Sequence, residues 1–356
     1  MKNKFPKLKG YLLCIALVFI MAGFALCPEA SAAAVNEAVS RCLNVLIPSL
    51  FAFMAVTSML VQSGSAALLA KPFSFISRKL FRMPDKMFTV MLISCVAGYP
   101  IGIKMLSDML ERGETDKNTA ERAACFCYCG GPAFYSGAVG MSVFGNKQVG
   151  TLIFLSVLIP NILLAFILCR TSELHVTDKP CSTKGGNILV NSITSAGRSM
   201  GIICMTVIFI SAVMALLEHC GALSAVGRIF GLDSNGLVLL KSFIEITSLT
   251  ELSGCPYKLL PCICAACSFG GLCIIMQLFA LKSERLSLFS FIKLRGPAAV
   301  LSAVFCKILQ KYLVDDSVFV IYQNKTLFKI NNFTASICLI MMIFLLNFKK
   351  SLVFSK

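Results

Sequence analysis

The sequence predicts an all-α polytopic membrane protein, an inverted-topology repeat with two re-entrant or broken hairpins and about eight full spans. Three observations carry that prediction. Charged residues make up only 14% of the 356-residue chain, against about 25% in soluble globular domains. The missing charge is concentrated, because residues 10–28, 42–70, 123–146, 148–169, 199–217, 259–281 and 330–348 contain no Asp, Glu, Lys or Arg. Each run is near or above the ~20 residues that carry a helix across ~30 Å of hydrocarbon. The order of elements in the first half also recurs in the second. A soluble enzyme built around one large core is excluded.

The first helix is expected over 11–28, after Lys2, Lys4, Lys7 and Lys9 and before Ala30-Ser31-Ala32. A secretory signal has the same outline, but its apolar stretch is usually about 7–15 residues and this one is longer. A further span follows at once, so it reads as a retained membrane helix. The second helix, 38–63, contains Ile47-Pro48-Ser49-Leu50-Phe51-Ala52-Phe53; a mid-span Pro is tolerated in lipid. Residues 66–86, with Lys71, Arg78, Lys79, Arg82 and Lys86, read as an amphipathic helix on the cytoplasmic surface. The stretch 87–110 is interrupted at Gly98-Tyr99-Pro100-Ile101-Gly102 and reads as the first hairpin. A charged segment, 111–122, leads to a span at 123–144 interrupted by Gly130-Gly131-Pro132, then to a span at 148–169.

After a polar loop the second half repeats this order. A span at 199–218 precedes an amphipathic piece, 222–233, and a weakly apolar stretch, 236–254, holding Glu245-Ile246-Thr247-Ser248. Spans follow at 258–281, interrupted by Gly270-Gly271, at 297–313 and at 333–347. The expected divisions are an N-terminal membrane helix (1–35), a first repeat (36–170), a cytoplasmic loop (171–198), a second, inverted repeat (199–314), and an outside loop with the last helix (315–356). Inverted repeats whose broken helices meet near the midplane are the build of many secondary transporters.

The formal charge of +16 resembles a nucleic-acid signal. Basic residues also collect in the cytoplasmic loops of membrane proteins, and that reading is preferred, so no nucleic-acid partner is expected. With the N-terminus inside and both hairpins returning to their side of entry, the inside carries 24 basic and nine acidic residues. The outside then carries nine basic and eight acidic.

The helix breaks are the first candidates for chemistry. Where a helix unwinds in the membrane, its free N–H and C=O groups must bond to protein, water or a solute. Half-helix ends aim partial charges at the midplane. Gly98, Tyr99, Pro100, Gly102, Gly130, Gly131, Pro132, Gly270 and Gly271 occupy these breaks. Ionisable residues inside apolar stretches cost ~2.5–3.5 kcal/mol or more and usually have a partner or a function. Glu245, with Lys241 one turn before it, and Lys104, with Asp108 one turn after it, are the two cases. Thr247, Ser248 and Thr250 could add hydroxyls beside Glu245, and Gln277 an amide.

Eighteen Cys residues lie mostly inside apolar runs, where a small polarizable side chain suits helix packing. Cys264 and Cys267 form a C-x-x-C pair without a second one, so no metal is expected. The sequence has no G-x-S-x-G, H-E-x-x-H or P-loop pattern, and neither an enzyme nor a cofactor is expected.

Six motifs in order carry a resemblance across about residues 10–310. They are Ile47–Phe53, Ala97-Gly98-Tyr99-Pro100-Ile101-Gly102-Ile103-Lys104, Gly131-Pro132-Ala133-Phe134, Gly137-Ala138-Val139-Gly140, Glu245-Ile246-Thr247 and Ser268-Phe269-Gly270-Gly271-Leu272. Together they resemble the YlbJ family of sporulation integral membrane proteins, within the nucleoside-recognition (Gate) domain proteins. The resemblance implies a multi-pass protein of the sporulating cell, needed for making the spore and in particular its cortex. The Gate domain is similar to parts of concentrative nucleoside transporters, which implies solute passage. Two departures remove polar groups from the expected pocket. Tyr128, Cys129, Gly130 and Gly131 stand where family members tend to carry Ser and Asn, and Ile275 stands where a His usually precedes Gln277.

The function expected is a transporter or gate for a small polar solute, seated in the bilayer with the N-terminus in the cytoplasm. A coupling cation and a second copy of the chain are further candidate partners. Two alternatives are a membrane scaffold for spore envelope or cortex assembly, and a thiol-redox role for Cys125, Cys127 and Cys129.

Overall fold

Most of the charge-free sequence among the described residues is helical. A computed structural model describes residues 5–65, 68–69, 71–171, 173–177, 187–252 and 257–313. The expected last span, at 333–347, lies outside these residues. Among them the only extended pairing is a single bridge between Thr115 and Val176.

The first half contains α1 (Phe5–Leu26), α2 (Pro28–Arg41), a π-helical turn (Cys42–Leu46) and α3 (Ile47–Gln62). Short 3-10 and π turns at Lys71–Phe73 and Ile76–Leu80 lead to α4 (Asp85–Ala97), α5 (Ile101–Glu111) and α6 (Lys117–Ala124). An unwound stretch, residues 125–131, leads to a π-helix (Phe134–Met141) and then to α7 (Lys147–Thr171). The second half contains α8 (Ile188–His219), α9 (Ala222–Ile229), α10 (Ser234–Ser242), a 3-10 turn (Ile246–Glu251), α11 (Leu260–Phe269), α12 (Gly271–Leu281) and α13 (Phe289–Leu313).

By length and composition, four helices can cross a membrane: 147–171, 188–219, 260–281 and 289–312. Two bent pairs raise this to six if each is one span. These are 17–26 with 28–46, bent by 98°, and 222–229 with 234–242, bent by 115°. The described residues therefore hold four to six spans, where seven of the eight expected ones fall; the eighth, at 333–347, lies outside them. Three of those seven are not among the four straight spans, each for a local reason. The helix at 11–28 stops at Cys27, where Pro28 starts a new helix in another direction. The helix at 38–63 is divided by the π turn, in which the Ile47 N–H reaches back to the Cys42 carbonyl just before Pro48. The span at 123–144 is unwound over seven residues, 125–131, not only at Gly130-Gly131.

Helix α8 is the central post and packs on α2, α3 and α12. Helix α7 packs on the 134–141 π-helix, α11 and α13. The long helix that opens the second half thus lies against the one that opens the first, and the late spans α7 and α13 likewise pair. Small and flexible side chains fill the interior, among them Ala123, Ala124, Cys264, Cys267, Met83 and Met87. Such residues let helices approach closely in lipid, where water provides no driving force between them. Large apolar side chains on α1, α8 and α13 face outward, including Phe19, Phe209 and Val300. That distribution suits a hydrocarbon surrounding.

Candidate functional site

In the first half, α4 ends where Gly98 takes φ of 84°, a left-handed conformation that favours glycine. Gly98, Tyr99 and Pro100 form the break, and α5 restarts at Ile101. A Cβ on Gly98 would lie 2.7 Å from the Gly131 nitrogen, and one on Gly102 would lie 2.2 Å from the Cys127 carbonyl oxygen. The hairpin break and the unwound 125–131 stretch therefore touch backbone to backbone. Both Gly98 and Gly102 are needed for that approach. The N–H of Gly130 donates to the Tyr135 hydroxyl at 3.1 Å.

The second half repeats the arrangement with different bonds. Helix α10 ends at Ser242, and Phe243, Ile244 and Glu245 form the break. The N–H groups of Leu272 and Cys273, in the first turn of α12, donate to the Phe243 and Ile244 carbonyls at 2.8 Å each. Carbonyls released by one break are satisfied by N–H groups released at the other. This is the requirement that lipid imposes on unwound backbone.

Tyr128 joins the two halves. Its hydroxyl donates to the Phe269 carbonyl at 3.0 Å, and its ring stacks on Tyr99 with centroids 4.9 Å apart. The Tyr99 hydroxyl reaches the Cys267 carbonyl at 3.5 Å. Gly270 makes room for this bridge, since a Cβ there would fall 1.8 Å from the Tyr128 hydroxyl oxygen.

Beneath Tyr128 lies Arg295, a fully buried residue of α13. Its guanidinium sits 5.0 Å from the Tyr128 ring centroid and 4.9 Å from that of Phe291. It donates to the Cys125 carbonyl, at the start of the unwound stretch, and to the Asn161 side-chain oxygen at 3.3 Å. Asn161 in turn donates to the Val157 carbonyl at 2.9 Å, one residue after the helix-interior Pro160. Arg295 therefore satisfies backbone that the break leaves open. No carboxylate pairs with it among the described residues.

Glu245 is 3% exposed and caps the 3-10 turn that follows it. Its carboxylate accepts from the Thr247 N–H at 3.2 Å and from the Thr247 hydroxyl. It lines a cavity of about 80 Å³ with Glu37, Arg41, Ser211, Glu218, Ser248 and Glu251. Arg41 donates to Ser211 at 3.1 Å and to Glu37 at 3.5 Å. Lys241 does not pair with Glu245: the Glu245 N–H still bonds the Lys241 carbonyl at 2.9 Å, but Glu245 itself is extended, and its carboxylate is held by Thr247. The Lys241 ammonium instead bridges Glu218 at 2.5 Å and Glu251 at 3.3 Å.

Lys104 and Asp108 do pair along α5 at the expected spacing. They line a separate cleft with Thr57, Ser58, Ser195 and Ser199. The residues expected to form one site are thus distributed over three places. Gly98, Tyr99, Gly102, Gly130, Gly131, Gly270 and Gly271 meet at the packed breaks, Glu245 and Ser248 line the acidic cavity, and Lys104 lines the cleft. Pro132 starts the helix that follows the first unwound stretch, Thr247 holds the Glu245 carboxylate, and Gln277 is buried with its amide against the Cys273 sulfur at 3.5 Å.

Arg295, Tyr128 and Arg41 were not among the expected site residues. For Arg295 the available signal is its place before Gly296-Pro297, at the edge of an apolar run whose helix begins earlier, at Phe289. The thiols of Cys125, Cys127 and Cys129 are buried in the unwound stretch. Among the described residues no group of three His, Cys, Asp or Glu side chains could hold a metal ion.

No family model matches the chain, and no solved structure matches it. Over 150 residues it is 28% identical to the sporulation integral membrane protein YlbJ of Bacillus subtilis (strain 168), a match that takes in 41% of this chain. The chain spans about a third of that relative's length, 36%. With the apolar helices, this similarity supports a multi-pass membrane protein related to the YlbJ family.

Proposed function

We propose that this chain is a sporulation-associated membrane protein that gates the passage of a small polar solute and is needed for forming the spore and its cortex. The observation that carries the reading is Glu245: a buried carboxylate, just after a helix break, in a cavity holding three more carboxylates and one arginine. A buried ionisable group in a membrane protein usually has a partner or a function, and such groups mark solute and ion paths. The packed breaks support the reading as well, because discontinuous helices are where transporters bind their solutes and coupling ions. At about 80 Å³ the cavity is of water or cation size. Pockets for drug-sized ligands run to ~300–1,000 Å³, so a larger solute requires the breaks to separate. On this reading the N-terminus is cytoplasmic, and a cation bound near Glu245 drives that separation.

Uptake by proteoliposomes of a panel of nucleosides, amino acids and dipicolinate tests the proposal. Uptake of at least one compound is expected, with loss in Glu245→Ala. No uptake of any of them by well-folded protein overturns it. The scaffold reading is favoured by one observation, the filling of the region between the breaks by Tyr99, Tyr128 and Tyr135. Under that reading Glu245→Ala still supports spore formation.

A further inference from the structure

A second cavity, of about 550 Å³, lies at the C-terminal end of the membrane-crossing helix α7. Arg78, Arg82 and Arg170 line it with Glu173, over a floor that includes Met83, Cys169 and Leu174. Arg78 is already neutralised, donating to Asp85 at 2.5 Å. Arg82 and Arg170 have no carboxylate within ion-pair reach among the described residues. The Arg170 guanidinium is seated 4.1 Å from the Phe166 ring centroid. Arg82 has φ of 54°, the one positive φ among the described non-glycine residues. Such a backbone is strained for a non-glycine residue and persists where its surroundings hold it.

The segment leading into Arg82 has a second, apolar character. Phe75, Ile76 and Leu80 are exposed beside Lys79 and Arg78. Exposed apolar side chains interleaved with cations, at the end of a membrane-crossing helix, describe a segment lying in the headgroup region. The cavity therefore offers guanidinium forks for a phosphate next to a surface for acyl chains. Planar guanidinium groups suit phosphate because they donate two bonds in its plane.

We propose that this cavity binds the headgroup of an anionic phospholipid, with Arg82 and Arg170 on the phosphate and the acyl chains along Phe75, Ile76 and Leu80. The site is independent of the solute path, and its test is independent of transport. The full-length protein in neutral detergent is titrated with dioleoyl phosphatidylglycerol, with dioleoyl phosphatidylcholine and with inorganic phosphate, and its thermal midpoint is followed.

Phosphatidylglycerol should raise the midpoint saturably, and phosphatidylcholine should not. Each loss of an arginine charge should raise the half-saturating phosphatidylglycerol concentration about fivefold. Arg82→Gly is the informative variant, because it removes the guanidinium while relieving the positive φ, and Arg170→Gln supplies the second. Lys293→Gln, whose ammonium lies over Phe289 instead, should leave the titration unchanged. Equal effects of the two lipids, or an unchanged titration in well-folded Arg82→Gly/Arg170→Gln, would overturn the proposal. So would a full shift from inorganic phosphate alone, which would make the ligand a free anion.

Discussion

Arg295 shows what a single residue does here. A cation taken wholly out of water is costly unless its donors are bonded and its charge is faced by something polarizable. The Cys125 carbonyl and the Asn161 side-chain oxygen take the two terminal nitrogens and two aromatic faces lie against the guanidinium, while Nε is buried without a partner among the described residues. Lys has neither the planar fork nor the reach to bond both oxygens. Arg295→Lys should therefore lower stability by about 1–3 kcal/mol, since it leaves buried acceptors open; thermal denaturation in detergent reads the change. A second residue-scale prediction concerns glycine. A Cβ on Gly102 meets the Cys127 carbonyl oxygen at 2.2 Å, whereas one on Gly137 meets nothing within 4 Å. Gly102→Ala should cost about 1–3 kcal/mol, as overpacking does, and Gly137→Ala should be near neutral. Equal midpoints for the two would remove the case for backbone contact between the first hairpin and the unwound stretch.

Elements meet in this molecule through their ends. The bond from the Tyr128 hydroxyl to the Phe269 carbonyl ties the first unwound stretch to the end of α11. Tyr128→Phe keeps the stacking on Tyr99 and loses that bond, for about 1 kcal/mol. If the breaks separate during a cycle, the same variant should open more readily, seen as faster hydrogen exchange of the backbone at 125–131. At the head of α6, Asp116 accepts from the N–H groups of Asn118 and Thr119 at 3.1 and 3.3 Å. Partial burial raises its proton affinity, but bonds from Thr119 and Asn118 outweigh that and hold the carboxyl below its usual range. A depressed folded value means the cap contributes fully above the unfolded carboxylate range, near ~3.9, and is lost as pH falls through the lower folded value. Asp116→Ala should cost about 1 kcal/mol at neutral pH, and its difference from the wild type should vanish in strong acid.

For the molecule as a whole, orientation is the property with the most direct test. If the N-terminus is cytoplasmic and the bent pair 17–46 crosses once, Cys220, exposed just after α8, is expected outside and Cys181, between α7 and α8 in the chain, on the cytoplasmic side. A membrane-impermeant maleimide added to intact cells should then label a variant keeping only Cys220 and spare one keeping only Cys181; the reverse pattern would invert the topology. The helical class was legible in the sequence, and so were the breaks at Gly98–Pro100 and Gly270; the bend at Cys27, the π turn at 42–46 and the unwinding from residue 125 were not. Charge-free runs have few alternatives in lipid, and Gly98, Pro100 and Gly270 each act on their own backbone. The site was legible only in pieces. Spacing along the chain paired Lys104 with Asp108 correctly because both stay in one helix, but it suggested Lys241 as the partner of Glu245, whose backbone is extended and whose carboxylate Thr247 holds. It gave no sign that Tyr128 of one half would bond to the backbone of the other. Composition and local punctuation, which act within a few residues, determined that this chain enters the membrane as helices and placed the breaks at Gly98–Pro100 and Gly270. Which breaks face each other, which cation is buried and which carboxylate is left in a cavity were decided by packing between segments more than a hundred residues apart, such as Cys125 and Arg295.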